Sequence, residues 1–212
     1  DFLLQTQKRS LQYIDQINLY SSGEYLLLDA VTRRNLELTS TIRAGKRKGS
    51  LLWVIDDTQT AMGGRTLRDW LDNPLLVHKA VGLRLDAVEE LTLNPPLLSE
   101  LRELLKSLYD IPRLITKVCF GSAGPRDLLA LKSSLQAQPR IFALLSRCKA
   151  PLMLAMLDHL DLLEDVAGLI EAAIAEDAPL SPRESGIIKK GYAAEVDELR
   201  EVSGSARQML LE

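Results

Sequence analysis

The residues with the strongest claim to chemistry form one run, Gly45-Lys46-Arg47-Lys48-Gly49-Ser50, where glycines, cations and a hydroxyl are adjacent. A nucleotide phosphate loop uses these types: glycine exposes backbone N–H groups to the phosphates, lysine adds charge and Ser/Thr reaches the metal. It needs them in the order Gly-Lys-Ser/Thr, after a strand and at the start of a helix. Here two further cations and a glycine separate Lys46 from Ser50, so the run is not a nucleotide site. What remains is a basic loop from Ile42 to Ser50 carrying Arg43, Lys46, Arg47 and Lys48, with no acidic residue among them. Glycine-flanked cations of this kind can make a weak contact to phosphates without reading sequence. With four charges and no interleaved aromatic ring for base stacking, an exposed connection between helices is the stronger account of the loop.

The other reactive types are scattered. His78 and His159 lie far apart, and neither has a cysteine or second histidine at ligand spacing. Asp158 and Asp161 flank His159 and could orient an imidazole base, but an exposed helix end carries the same residues. Asp56-Asp57 and Glu89-Glu90 read as solvated or capping groups. Cys119 and Cys148 are too few for a disulfide framework and read as buried thiols of a reducing compartment. Trp53 and Trp70, set among leucines, read as packing residues. There is no Gly-x-Ser-x-Gly elbow. The residues therefore supply no catalytic, cofactor or metal site.

Composition says what must position these side chains. The 212 residues carry 26 Lys and Arg against 29 Asp and Glu, a net charge of −3, with 46% hydrophobic and 5% aromatic residues. This excludes a disordered chain, and the slight acidity argues against a large nucleic-acid face within the segment. There are 43 leucines against three Phe and five Tyr, a skew that favours helix over strand. No apolar run approaches the roughly 18 residues of a membrane span. The first residues, Asp1-Phe2-Leu3, lack both an initiator Met and a signal peptide, which suggests a piece of a longer chain.

The expected architecture is all-α: a multi-helix bundle with one or two short strands and the start of a long helix. A helix runs from Asp1 to Ile17 into a connector, and Tyr25–Asp29 is a buried strand or an extended entry segment. Thr32 N-caps a helix through Leu38, and Leu51–Ile55 forms one or two helical turns. Met62 to Leu71 is a helical stripe that Asn73-Pro74 ends, and Val81, Leu85, Val88 and Leu91 form a second. Leu97, Leu98, Leu101, Leu104, Leu105 and Leu108 form a third, the clearest of the set. Ile111–Phe120 is helical, Gly124-Pro125 starts another helix with Asp127 in its first turn, and Pro139 and Pro151 bracket a further one. Val166 to Ile174 is helical, and Gly186–Gly191 can hold a short strand. From Tyr192 the seam Val196, Leu199, Ser203, Ala206, Leu210 steps by four and three as a heptad does.

Blocks within these elements carry a resemblance. Thr32-Arg33-Arg34-Asn35-Leu36-Glu37-Leu38, then Gly49-Ser50-Leu51-Leu52-Trp53-Val54-Ile55-Asp56 and Thr60-Ala61-Met62-Gly63-Gly64-Arg65, resemble the core region of the bacterial MutS family of DNA mismatch-repair proteins. Arg84 to Leu91, Pro125-Arg126-Asp127-Leu128 and Gly191 to Leu199 continue it in the family's order. The resemblance implies the end of a connector at 1–20, an α-helical core domain at 21–191 and the start of a lever helix at 192–212. It implies a scaffold coupling an ATPase to a DNA clamp, in a cytoplasmic, nucleoid-associated homodimer that uses ATP and Mg, binds mismatched duplex DNA and meets a MutL-type partner. The family's mismatch wedge, clamp and Walker motifs have no counterpart here, so no catalytic, nucleotide or metal residue transfers and the segment is not expected to be an enzyme by itself. The alternative is an autonomous nucleic-acid-binding module acting through residues 43–48.

Overall fold

The computed structural model describes residues 22–181 and 184–209; the helix expected from Asp1 to Ile17, the connector stretch 1–20 and the seam position Leu210 lie outside the described residues. The described chain is mainly helical: α1 (Ala30–Asn35), α2 (Leu51–Ile55), α3 (Ala61–Asp72), α4 (His78–Leu93), α5 (Pro95–Lys106), α6 (Ile111–Cys119), α7 (Pro125–Leu145), α8 (Pro151–Asp158), α9 (Glu164–Ala173) and α10 (Ala194–Met209). The helix starts follow from local chemistry. Asp29, Ser50, Asn94 and Asp110 each accept a first-turn N–H of α1, α2, α5 and α6, and α5 to α8 all carry proline in the first turn. The expected strands reduce to two single antiparallel bridges, Tyr25 with Leu75 and Ile174 with Ile188.

The chain divides into two compact units. The first carries α1, α2, α3 from Met62 and α4 to Asp86. Leu26 N–H donates to the Pro74 carbonyl at 2.8 Å and Leu76 N–H to that of Glu24 at 2.9 Å, closing the stretch before α1 onto the end of α3. Asp29, not Thr32, caps α1: its Oδ1 accepts the Thr32 N–H at 2.6 Å, and this hydrogen bond holds the Asp29 carboxyl below its ordinary range. The helix ends at Asn35 instead of Leu38 because Glu37 turns into the left-handed region, φ 48°. Leu38 and Leu52 are the buried apolar side chains of this unit among the described residues, joined by the Leu52 N–H to Leu38 carbonyl bond at 2.8 Å. Trp53 and Trp70 do not pack inside: they are 48% and 43% exposed, and the Arg84 guanidinium lies 3.6 Å from the Trp70 ring centroid. The second stripe is covered only in part: Val81 is half-buried and Leu91 packs against the buried Leu97 and Leu101. Leu85 and Val88 face solvent, and Ala87 is the buried position of α4.

The second unit, from Ala87 onward, is organised on the 21-residue α7. Gly124 N–H donates to Asp127 Oδ2 at 3.0 Å, and Lys117 of α6 donates to Asp127 Oδ1 at 2.7 Å. The N-terminal half of α7 then buries Leu131 and Leu135 with Leu114 of α6 and Ala167 and Ile170 of α9. Its C-terminal half buries Ile141 and Leu144 with Leu97 and Leu101 of α5 and with Cys148. The break expected at Pro139 does not occur; Pro139 sits inside the helix. A proline there forfeits one backbone hydrogen bond, a cost of about 3 kcal/mol, and buried leucines and an isoleucine on either side hold the helix through it. Cys148 is buried as expected, while Cys119 is only half-buried.

Two consequences are measurable. Leu135→Ala should cost about 3 kcal/mol in denaturant-unfolding free energy, and Leu85→Ala, exposed, within about 0.5 kcal/mol. The Asp127 carboxyl is held below its ordinary range by the Lys117 hydrogen bond first and the Gly124 N–H second, against an opposing effect of burial. A depressed folded value contributes stability above the unfolded value, about 3.9, and loses it as pH falls through the folded one. Asp127→Asn should therefore destabilise by about 1 kcal/mol at pH 7, with the gap to the native chain closing as pH falls below about 4. A gap unchanged at pH 2 would show that the charge of Asp127 is not what it contributes.

Candidate functional site

The basic loop is closed by its own backbone. Thr41 N–H donates to the Lys46 carbonyl and Gly45 N–H to the Thr41 carbonyl, both at 2.9 Å, with Gly45 in the left-handed region at φ 59°. Gly49, at φ 98°, holds a backbone conformation that strains any side chain, and a Cβ there would lie a tight 3.1 Å from Thr41 Cγ2. Ser50, fully buried, locks the far end: its Oγ donates to the Arg47 carbonyl at 2.7 Å and accepts the Trp53 N–H at 3.3 Å.

Between Glu37 and Asp56 the chain carries four cations and no carboxylate, and both flanking carboxylates serve the loop. Glu37 Oε1 accepts the Ile42 N–H at 2.6 Å. Asp56 Oδ1 accepts the Thr58 hydroxyl at 2.6 Å and its N–H at 3.1 Å, while Oδ2 takes the Arg47 guanidinium. These bonds, Thr58 foremost, hold the Asp56 carboxyl below its ordinary range. The four expected phosphate-contact residues thus separate: Arg47 is ion-paired to Asp56, whereas Arg43, Lys46 and Lys48 are exposed with no side-chain partner among the described residues. The sequence run hid this division because Asp56 lies nine residues away.

The other candidates resolve into structural roles. His159 is the exposed C-cap of α8 and His78 the exposed first residue of α4. Among the described residues no group of three His, Cys, Asp or Glu is placed to hold a metal ion. Glu90 is a cap across a long sequence separation: its Oε1 accepts the Lys149 N–H at 2.6 Å and its Oε2 the Ala150 N–H at 2.7 Å. It satisfies the backbone donors of the N-cap Ala150 and of the residue before it, just ahead of α8. Burial, with the Glu90 charge adding, pushes the neighbouring Cys148 thiol up, away from the reactive thiolate.

Sequence reading missed one buried charge. Lys132 of α7 is 6% exposed and donates to Glu176 Oε1 at 2.5 Å, with Glu171 Oε2 3.5 Å away. The Glu176 hydrogen bond raises the Lys132 pKa, against the opposing effect of burial. A lysine nucleophile or base needs the reverse shift, so Lys132 is a structural cation. Glu171 also accepts from Gln136 Nε2 at 2.6 Å, the leading cause that holds its carboxyl low, with Lys132 adding. The clue was a lone lysine within an apolar stretch of α7, whose partners lie about 40 residues on.

Comparison with known proteins places the chain in a family. The family profile of MutS domain III matches residues 31–211. The DNA mismatch repair protein MutS of Acetivibrio thermocellus is 48% identical over 210 residues, covering 99% of this chain and 24% of that protein. MutS of Ruminiclostridium cellulolyticum is 50% identical over 202 residues, 95% of this chain and 23% of the relative, and that of Halothermothrix orenii 49% over 200 residues, 94% and 22%. The chain spans about a quarter of the length of these relatives. On the profile match and on identities near one half along nearly its whole length, the chain belongs to the MutS domain III family and is the core domain of a mismatch-repair MutS.

Proposed function

We propose that this domain is the mechanical scaffold of the longer protein, transmitting motion between an ATPase that binds ATP and Mg and a clamp that grips mismatched duplex DNA, and that it is not itself catalytic. The observation that carries this reading is α10. Its start is fixed: Gly191 N–H donates to Asp197 Oδ2 at 2.6 Å, and Arg200 Nη2 donates to the Ile188 carbonyl at 2.8 Å. Beyond that anchor Leu199 and Val202 are 69% and 67% exposed on a helix of 16 residues, about 24 Å long. A rigid rod fixed at one end, with apolar positions open to a partner helix, suits the transmission of a displacement between packed units. The exposed Leu51, Trp53, Val54 and Ile55 of α2 support the same reading, since an element seated inside a larger protein presents such side chains.

The relatives carry the name DNA mismatch repair protein, and on that ground the whole protein is proposed to work as a homodimer with a MutL-type partner in the bacterial cytoplasm, associated with the nucleoid. No described helix is long and apolar enough to cross a membrane.

Leu199→Pro in the full-length protein is the test. The residue is exposed, so the domain keeps its core, while a proline in the helix interior breaks the rod. Mismatch-stimulated nucleotide exchange should fall at least tenfold with basal ATP hydrolysis retained, and Leu199→Ala should have a much smaller effect. Unchanged stimulation in the proline variant would refute the transmission role.

A further inference from the structure

We propose that the loop from Ile42 to Ser50 is a preformed contact for the sugar-phosphate backbone of a nucleic acid, made by Arg43, Lys46 and Lys48, with Arg47 as the residue that positions the loop. This stands apart from the scaffold reading, because it rests on the loop alone.

Three observations carry it. The loop is fixed before any ligand arrives: the Thr41–Lys46 backbone bond, the two left-handed glycines and the buried Ser50 determine its path, so little conformational entropy remains to be lost on binding. Of its four charges only Arg47 is paired, to Asp56, while the other flanking carboxylate, Glu37, turns to the Ile42 N–H and not to a cation. That leaves three exposed cations, and the backbone N–H groups of Arg43, Ala44, Lys48 and Gly49 make no hydrogen bond among the described residues. Cationic side chains with free backbone donors are the groups that hold phosphate oxygens.

The chemistry of the loop also selects between polyanions. From Arg43 to Gly49 the only apolar side chain is Ala44, and two of the three free cations are lysines. Protein interfaces are built round an apolar centre from which lysine is depleted, whereas a phosphate backbone asks for charge without one. With no aromatic ring in the loop, the contact reads charge and not base identity.

The test measures binding of a fluorescein-labelled 30-base-pair duplex to the 212-residue chain by anisotropy from about 50 to 150 mM salt. Three neutralised phosphates predict a slope of about −2.7 in log K against log salt, so affinity should fall about 20-fold over that range. The triple variant Arg43→Gln/Lys46→Gln/Lys48→Gln should lose the slope, Lys46→Arg/Lys48→Arg should keep it, and Lys149→Gln in the second unit should change nothing. Duplexes of unrelated sequence should bind equally. No binding at 50 mM salt, a slope that survives the triple substitution, or competition by polyglutamate as effective as by duplex would each overturn the proposal, the last in favour of an acidic protein surface.

Discussion

The second unit depends on one constraint: α7 must bury two different faces. On a regular helix of 100° per residue, Leu131 and Leu135 point roughly 130° away from Ile141 and Leu144. No single neighbour can cover both directions. The first pair is therefore closed by α6 and α9 and the second by α5, giving two apolar clusters strung on one rod. The change of face happens around Pro139, where the missing N–H removes a bond from Leu135. A helix anchored on both sides of such a defect persists because unfolding either half would expose a buried cluster, and each large side chain contributes about 2 kcal/mol or more by burial.

This explains which parts of the fold were legible. The start at Gly124-Pro125, with Asp127 in the first turn, was legible because capping is a local matter, whereas the cap expected at Thr32 falls to Asp29. The leucine spacing from Leu97 to Leu101 named its buried face correctly. Pro139 misled because a local rule met a non-local compensation. The stripe of α4 was right at Leu91, which packs on the core, and misled at Leu85 and Val88: the covered face runs through Ala87 and Leu91, and periodicity does not say which of two apolar-compatible directions finds a neighbour. Trp53 and Trp70 failed in the same way, being apolar by type and uncovered by position.

The polar network was the least legible layer. Glu90 with Lys149 and Ala150, and Lys132 with Glu176, join residues 44 to 60 apart, where no spacing rule operates. The basic loop lies between these extremes. Its glycines and cations were plain in the sequence, but the division of labour among the cations was not, because it depends on Asp56 folding back onto Arg47 alone.

The two units also differ in what holds them, and that difference bears on function. The second has clustered apolar burial on α7, whereas the described residues of the first bury Leu38 and Leu52 and are tied by hydrogen bonds: Asp29 at the start of α1, Glu37 on Ile42, Ser50 on Arg47, Asp56 on Thr58. Such bonds are directional and contribute about 1 kcal/mol each, so they specify a conformation more than they stabilise it. A region whose shape is set this way, while Leu51, Trp53, Val54 and Ile55 remain outside, has its conformation fixed in advance of its apolar contacts. Surfaces of that kind can be packed and unpacked by neighbouring parts of a large protein without being remade, because the backbone that presents them does not depend on the contact. The proposed transmission of motion would draw on that separation of shape from contact.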